Sequence, residues 1–331
     1  MLCGVERESV ALDDLDRALI DALRVDGRAP FARLGEVLGV SDRTVARRYN
    51  RLRGTGVLNL VGVVDAASLG GAEWLVRLHC RPGSADSVAE ALARRDDTRW
   101  VALLSGGTEI CASLRSWSAR ERDELILQRL QRTAPVVSVT AHSVLHVFTT
   151  AAPHPNGTGA LTPEQAAALR PTYADGERVR LADSDRPLLE ALAADGRAPY
   201  PALAAATGWS ESSVARRLHA LRAAGLLTFD VDVDATVLGY RAEARLWASV
   251  PPADLAATGA AVATRSEVAF CAATTGPTNL LISVVCRDNR DLYRYLTECL
   301  GALGTIREVQ TAPVVRVLKR ARSVPWHGTG T

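Results

Sequence analysis

The chain has 331 residues, 47% hydrophobic and 23% charged, and its 39 basic and 37 acidic side chains leave a formal net charge of +2. Such a composition buries enough apolar surface to exclude a disordered chain, and no run of about eighteen uncharged apolar residues offers a membrane span. At about 150 residues per domain the length suggests two domains, while the balanced charge leaves any nucleic-acid contact to be read from where the basic residues stand.

From the N-terminus, Met1-Leu2-Cys3-Gly4-Val5-Glu6-Arg7-Glu8 turns charged before an apolar core forms, so no secretory signal is expected. Leu15, Leu19 and Leu23 recur at helical spacing, with Asp14 and Asp16 in the first turn. Asp26-Gly27-Arg28-Ala29-Pro30 breaks that helix. Phe31, Leu34 and Leu38 form the apolar stripe of a second helix, which Gly39 ends in a tight turn. Ser41 caps a third helix that runs to about Arg53 and stops at Gly54 and Gly56. Helix, glycine turn and Ser-capped helix is the pattern of a helix-turn-helix, whose second helix enters the DNA major groove.

The helical wheel of the third helix separates two faces. Val45, Ala46, Tyr49 and Leu52 share the inner one; Arg43, Thr44, Arg47, Arg48 and Arg51 share the outer one. From Ser41 to Arg53 the only acid is Asp42. A solvated face normally mixes both signs, so this face is expected to meet phosphates or guanine edges. Nearly all the basic residues of the chain are arginine, Lys319 being the one lysine, which on its own reflects composition rather than function.

Beyond the third helix, strands are expected near Trp74–Cys80, Arg99–Ser105, Ile110–Arg115 and Val136–Phe148, with helices near Ala85–Arg95 and Ala119–Thr133. The order βαββαβ is that of a ferredoxin-like split βαβ, whose sheet keeps one bare face that needs a partner. A Pro/Gly-rich connector, Ala152 to Gly159, follows. Thr162 and Pro163 then open a short helix as N-cap and first residue.

Then the chain repeats itself. Asp26-Gly27-Arg28-Ala29-Pro30 returns as Asp195-Gly196-Arg197-Ala198-Pro199, and Val45-Ala46-Arg47-Arg48 as Val214-Ala215-Arg216-Arg217. In the second copy Val214, Leu218 and Leu221 face inward and Ser212, Ser213, Arg216 and Arg217 outward, behind the cap Ser210. Ser212 replaces Arg43 and Ala220 replaces Arg51, so this helix is expected to bind DNA more weakly. Strands near Ala244–Val250, Glu267–Thr274, Leu280–Cys286 and Ile306–Leu318, and helices near Ala253–Thr264 and Arg290–Leu303, complete the second βαββαβ unit. The fold class is α+β. It comprises two (winged) helix-turn-helix domains at 12–60 and 181–229 and two ferredoxin-like domains at 70–149 and 239–319, with a linker at 150–180.

A helix-turn-helix with Asp-Gly-Arg after its first helix and S-x-x-x-V-x-R-R in its third, followed by βαββαβ with a Gly-x-x-acid turn, resembles the leucine-responsive/asparagine regulator (Lrp/AsnC) family. The resemblance rests on Leu12 to Gly56, Gly106-Gly107-Thr108-Glu109 and Val139, and on Leu181 to Gly225, Gly276-Pro277-Thr278-Asn279 and Val309. It implies a cytoplasmic, non-enzymatic, sequence-specific transcription regulator of double-stranded DNA, controlled by an amino acid or related small molecule. Family members usually carry one module per chain; this one reads as an internal pseudodimer, with bare sheet edges left for a further homo-oligomer. The DNA-contacting set is Ser41, Arg43, Thr44, Arg47, Arg48, Arg51, Ser210, Ser212, Ser213, Arg216 and Arg217. The effector set is Gly106, Gly107, Thr108, Glu109, Gly276, Pro277, Thr278 and Asn279, although the family favours Asp where Glu109 and Asn279 stand.

Two alternatives keep the fold. Fused two-module proteins resembling this family include siroheme decarboxylases, and here His142 and His146 are expected on one strand face as a conceivable ligand pair. A ligand sensor with one inactive helix-turn-helix is the other. No cofactor or metal site is expected, since no histidine has a carboxylate or cysteine at metal spacing. Cys3, Cys80, Cys111, Cys271, Cys286 and Cys299 show no C-x-x-C pairing and are expected to be reduced thiols, mostly buried.

Overall fold

The structure is a computed structural model that describes residues 11–64, 71–95, 97–116, 120, 123–124, 128, 130, 133–149, 158–173, 179–233 and 235–320. The first three helices are α1 (Asp14–Val25), α2 (Phe31–Leu38) and α3 (Asp42–Gly54). A capping box closes the start of α1, where the Asp13 carboxylate accepts from the Asp16 amide and the Asp16 carboxylate accepts from the Asp13 amide. Gly39 takes the left-handed conformation, φ 69°, that the turn between α2 and α3 requires. The second copy repeats the plan with α6 (Arg186–Ala194), α7 (Tyr200–Thr207) and α8 (Glu211–Ala223), and Gly208 at φ 72°.

Each third helix runs into a strand that sequence reasoning did not anticipate, β1 (Leu58–Val64) and β6 (Leu227–Val233). They pair with each other, antiparallel from Leu58↔Val233 to Val64↔Leu227, as a two-stranded ribbon between the copies rather than as separate wings. The ribbon is exchanged: Val231 and Val233 of β6 complete the core around α1, and Val64 of β1 completes the core around α6.

The eight remaining strands are β2 (Ala72–Cys80), β3 (Thr98–Leu104), β4 (Glu109–Ser116), β5 (Val136–Val147), β7 (Ala242–Ser249), β8 (Val268–Thr274), β9 (Leu280–Cys286) and β10 (Glu308–Lys319). They close into one barrel in the order β10-β3-β4-β2-β5-β8-β9-β7. β5 pairs with β2 as far as Ser143 and with β8 from Val144, and β10 pairs with β7 up to Pro313 and with β3 from Val314. The last strand of each ferredoxin-like unit therefore crosses onto the other unit. Every strand of the barrel thus has a neighbour on each side, although each half of β5 and of β10 is paired on one side only.

Outside the barrel, α4 (Ala85–Ala93), α9 (Leu255–Ala263) and α10 (Asn289–Arg294) cover the sheets. α10 continues as a π turn over Tyr295–Leu300. The helix expected near Ala119–Thr133 lies largely outside the described residues. Between the sheets Leu75, Leu104, Trp247, Leu281 and Ala312 form a separate core, where the two bare faces meet.

The connector is not slack. α5 (Pro163–Leu169) packs on α1 and α2, with Leu169 only 1% exposed in the core of the first helix-turn-helix. Burial of such a side chain contributes about 1.5–3 kcal/mol. The Asp21 carboxylate accepts from the amides of Thr158 and Ala160, and Gln165 donates to the Val37 carbonyl. Much of the expected linker is thus part of the first domain.

Candidate nucleic-acid interface

Each recognition helix begins at a serine cap. Ser41 Oγ accepts from the Thr44 amide at 3.2 Å, and Ser210 Oγ accepts from the Ser213 amide at 3.2 Å. Val45, Tyr49 and Leu52 are buried on α3, and Val214, Leu218 and Leu221 on α8, so the same stripe faces outward in both copies. On that stripe Ser41, Arg43 and Arg47 are exposed in the first copy, and Ser210, Ser212 and Arg216 in the second. Thr44 and Ser213 are half-buried, engaged with the cap hydroxyls. No side-chain hydrogen bond or ion pair among the described residues holds the guanidinium groups of Arg43, Arg47 or Arg216.

The other predicted arginines are committed elsewhere. Arg48 turns back to donate to Asp13 at 2.6 Å and to Asp16 at 3.0 Å, and Arg51 also binds Asp16, which is 1% exposed. In the second copy Arg217 donates to Asp185 at 2.6 Å and to the Arg180 carbonyl at 2.7 Å. The Arg48 hydrogen bond holds the Asp13 carboxyl below its usual range, and Asp185 raises the Arg217 guanidinium above its own. The pairs Arg47-Arg48 and Arg216-Arg217, read from sequence as jointly exposed, are therefore split. The first arginine of each points outward, and the second ties the recognition helix to the start of the first helix of its own copy.

The two Asp-Gly-Arg loops lie against each other. Arg28 donates to the carbonyls of Gly196 at 2.8 Å and Ala198 at 3.1 Å; Arg197 donates to those of Gly27 at 2.7 Å and Ala29 at 2.9 Å. The same guanidinium groups stack on rings, Arg28 on Tyr200 and Arg197 on Phe31. Asp195 pairs with Arg53 at 2.8 Å and Asp26 with Arg222 at 2.6 Å, so each loop also grips the far end of the other copy's recognition helix. These residues fix the angle between α3 and α8. Sequence reasoning read the motif as a helix breaker; its identity in both copies was the available signal.

The predicted effector turns are unlike each other. Glu109 is 3% exposed and accepts from Arg77 at 2.6 Å and Ser105 at 3.0 Å; Arg77 stacks on Trp247 of the other copy. Gly106 and Gly107 carry the positive φ of the turn beside Thr108, which is exposed. In the second copy Asn279 exchanges two hydrogen bonds with the backbone of Val250, and Thr278 is buried. Pro277 is exposed, while His142 fills the space beside Gly276. Its Nδ1 lies 2.6 Å from the Thr275 carbonyl, and a Cβ on Gly276 would meet the ring at 2.4 Å. His146, expected on the face of His142, is exposed, because a register shift between Val144 and His146 turns it away.

Residues 12–53 and 181–222 match the AsnC-type helix-turn-helix domain, and residues 244–324 match the Lrp/AsnC ligand binding domain. The chain is a tandem member of the Lrp/AsnC family. Among its relatives is an uncharacterized HTH-type transcriptional regulator of Pyrococcus furiosus, 26% identical over 136 residues, 40% of this chain and 91% of the relative. Another is the HTH-type transcriptional regulator AldR of Mycolicibacterium smegmatis, 27% identical over 147 residues, 43% and 86% of the two chains. The crystal structure of the siroheme decarboxylase NirDL superimposes with a TM-score of 0.64 at 16% identity, covering 95% of this chain and 94% of that one. That likeness is one of fold. It extends the Lrp/AsnC match from single modules to the paired arrangement. No helix among the described residues is long and apolar enough to cross a membrane.

Proposed function

We propose that this Lrp/AsnC protein is a cytoplasmic, sequence-specific regulator that binds double-stranded DNA as a single-chain pseudodimer and responds to a small-molecule effector. The observation that carries the reading is the pair of recognition helices, held at one angle by Arg28 and Arg197, with Arg43, Arg47 and Arg216 outward and unpaired among the described residues. Two such helices address half-sites about one helical turn apart, roughly 34–36 Å. Since Ser212 stands in the second copy where the first has Arg43, the operator is an imperfect palindrome. Ser41, Thr44, Ser210 and Ser213 place the helix N-termini against phosphate, where a helix favours an anion.

A mobility-shift titration on the DNA upstream of the gene, repeated across salt concentrations, tests the reading. We expect an affinity that falls steeply with salt. An absent or salt-independent shift overturns it. The decarboxylase reading has fold likeness behind it, and siroheme that co-elutes with the purified chain and loses carboxylate groups as CO2 would move the function there.

A further inference from the structure

Where the β1–β6 ribbon lies over one end of the barrel, the structure forms a half-open chamber of about 420 Å³, within the range of about 300–1,000 Å³ typical of small-molecule pockets. It stands apart from both Gly-rich turns. One wall is polar. Glu73 accepts from Ser113 at 2.6 Å and stands 3.8 Å from Arg99; Glu243 accepts from Arg245 at 3.0 Å, whose guanidinium stacks 3.9 Å above the Trp100 ring. Part of the lining is apolar: the repeat places Leu75 where the second copy has Arg245, and Phe270 where the first has Trp100. Among the described residues no cation stacks on the Phe270 ring. From the ribbon, Asp232 faces Arg320 at 4.0 Å, and Asp230 acts on the buried Arg24 of α1.

The lining carries four guanidiniums, Arg24, Arg99, Arg245 and Arg320, and four carboxylates, Glu73, Asp230, Asp232 and Glu243. A buried ligand of net charge would strand one of them without a partner, at a cost that ordinarily exceeds what one new ion pair returns. A molecule with both charges can enter a pair such as Arg245–Glu243 and satisfy each member. Beside that pair, Phe270, Leu75 and Leu281 offer a surface for a flat apolar body. We propose that this chamber is the effector site, and that its ligand is a small net-neutral ampholyte with an apolar, planar body. The proposal rests on the effector-controlled regulator reading and locates the effector. A ligand here touches β6, whose Val231 and Val233 lie in the core of the first helix-turn-helix, so occupancy acts on the DNA-binding domain directly.

Three probes of one shape separate the charge requirement: L-phenylalanine, 3-phenylpropionate and 2-phenylethylamine, added to the full chain and followed by thermal melting and tryptophan fluorescence. L-Phenylalanine should raise Tm by several degrees and the singly charged probes should not. Glu243→Gln should weaken its apparent affinity about tenfold, the loss of one charge-assisted hydrogen bond. Ser283→Leu, which fills the chamber, should abolish the shift. Thr108→Ala, at the exposed turn, should retain it. A shift that survives in both chamber variants places the effector elsewhere and overturns the location while leaving effector control intact. No shift with any probe, or a larger one with a singly charged probe, overturns the ligand class. Mobility shifts without ligand report separately on whether the chain binds DNA.

Discussion

Arg28 and Arg197 hold each other's loops, each donating to backbone carbonyls on the far side of the pseudo-twofold arrangement. Both are largely removed from water, and that burial lowers the pKa of each guanidinium. Hydrogen bonds made by charged donors contribute about 1.5–3 kcal/mol. Arg28→Ala and Arg197→Ala should each cost that much in chemical denaturation. Each should also weaken binding to a duplex with two half-sites while leaving binding to a single half-site unchanged. Equal losses on both duplexes would mean that the arginines touch DNA themselves.

Neighbouring arginines on α3 should behave differently. Arg47→Ala is expected to leave Tm unchanged, lower DNA affinity and reduce the salt slope by about 0.9, one phosphate contact. Arg48→Ala should instead destabilise the fold by about 1–3 kcal/mol, since it removes one of the two guanidiniums that satisfy the buried Asp16. Arg216→Ala should weaken DNA binding less than Arg47→Ala does, because the second recognition helix carries fewer cations. Melting curves and mobility shifts on the same preparations distinguish the three.

Close approach gives a steric test. A Cβ on Gly196 would stand 2.2 Å from the Leu60 side chain and 3.0 Å from its carbonyl oxygen. Gly196→Ala should therefore cost about 1–3 kcal/mol, as overpacking does. Gly54→Ala, at the open end of α3, should stabilise by about 0.5 kcal/mol. Urea titrations of the two variants should move in opposite directions.

Acid should loosen the first helix-turn-helix. The Arg48 hydrogen bond depresses the Asp13 carboxyl in the folded state. Its contribution is therefore fully present above the unfolded value of about 3.9 and is lost as pH falls through the lower folded value. Melting temperature followed from pH 6 downward should decline below pH about 4. Asp13→Asn should show a shallower decline.

Burial pushes the thiols of Cys111 to about 11, and of Cys271 and Cys286 to about 12. In the folded chain at pH 8 these three should resist iodoacetamide, and the half-buried Cys299 should be alkylated before them. Mass spectrometry of tryptic peptides reads the order.

The helical hairpins and the βαββαβ order were legible because their signals are local: Leu15, Leu19 and Leu23 at helical spacing, Ser41 as cap, Gly39 as turn. What escaped were features whose partners lie far along the chain. β1 and β6 each look like loose apolar ends until paired with the other copy. A helical wheel gives the direction in which Arg48 and Arg217 leave the backbone, not the reach that lets them return to Asp16 and Asp185. Alternation along β5 placed His142 and His146 together, and a single register shift separated them. Nor does a Pro/Gly-rich connector announce that Leu169 will sit in a core. The turn residues Glu109 and Asn279 were found by position, while their partners Arg77 and Val250 are visible only in three dimensions.

Joining both recognition helices in one polypeptide has a consequence for how such a protein can diversify. In an assembly of identical chains every substitution in the reading helix is made twice, and both halves of the bound sequence must change together. Here Arg43 and Ser212 occupy equivalent places with different chemistry, while the loops that set the angle between the helices keep identical residues. If both helices read DNA as proposed, one half of the target can drift while the other is held, at constant spacing.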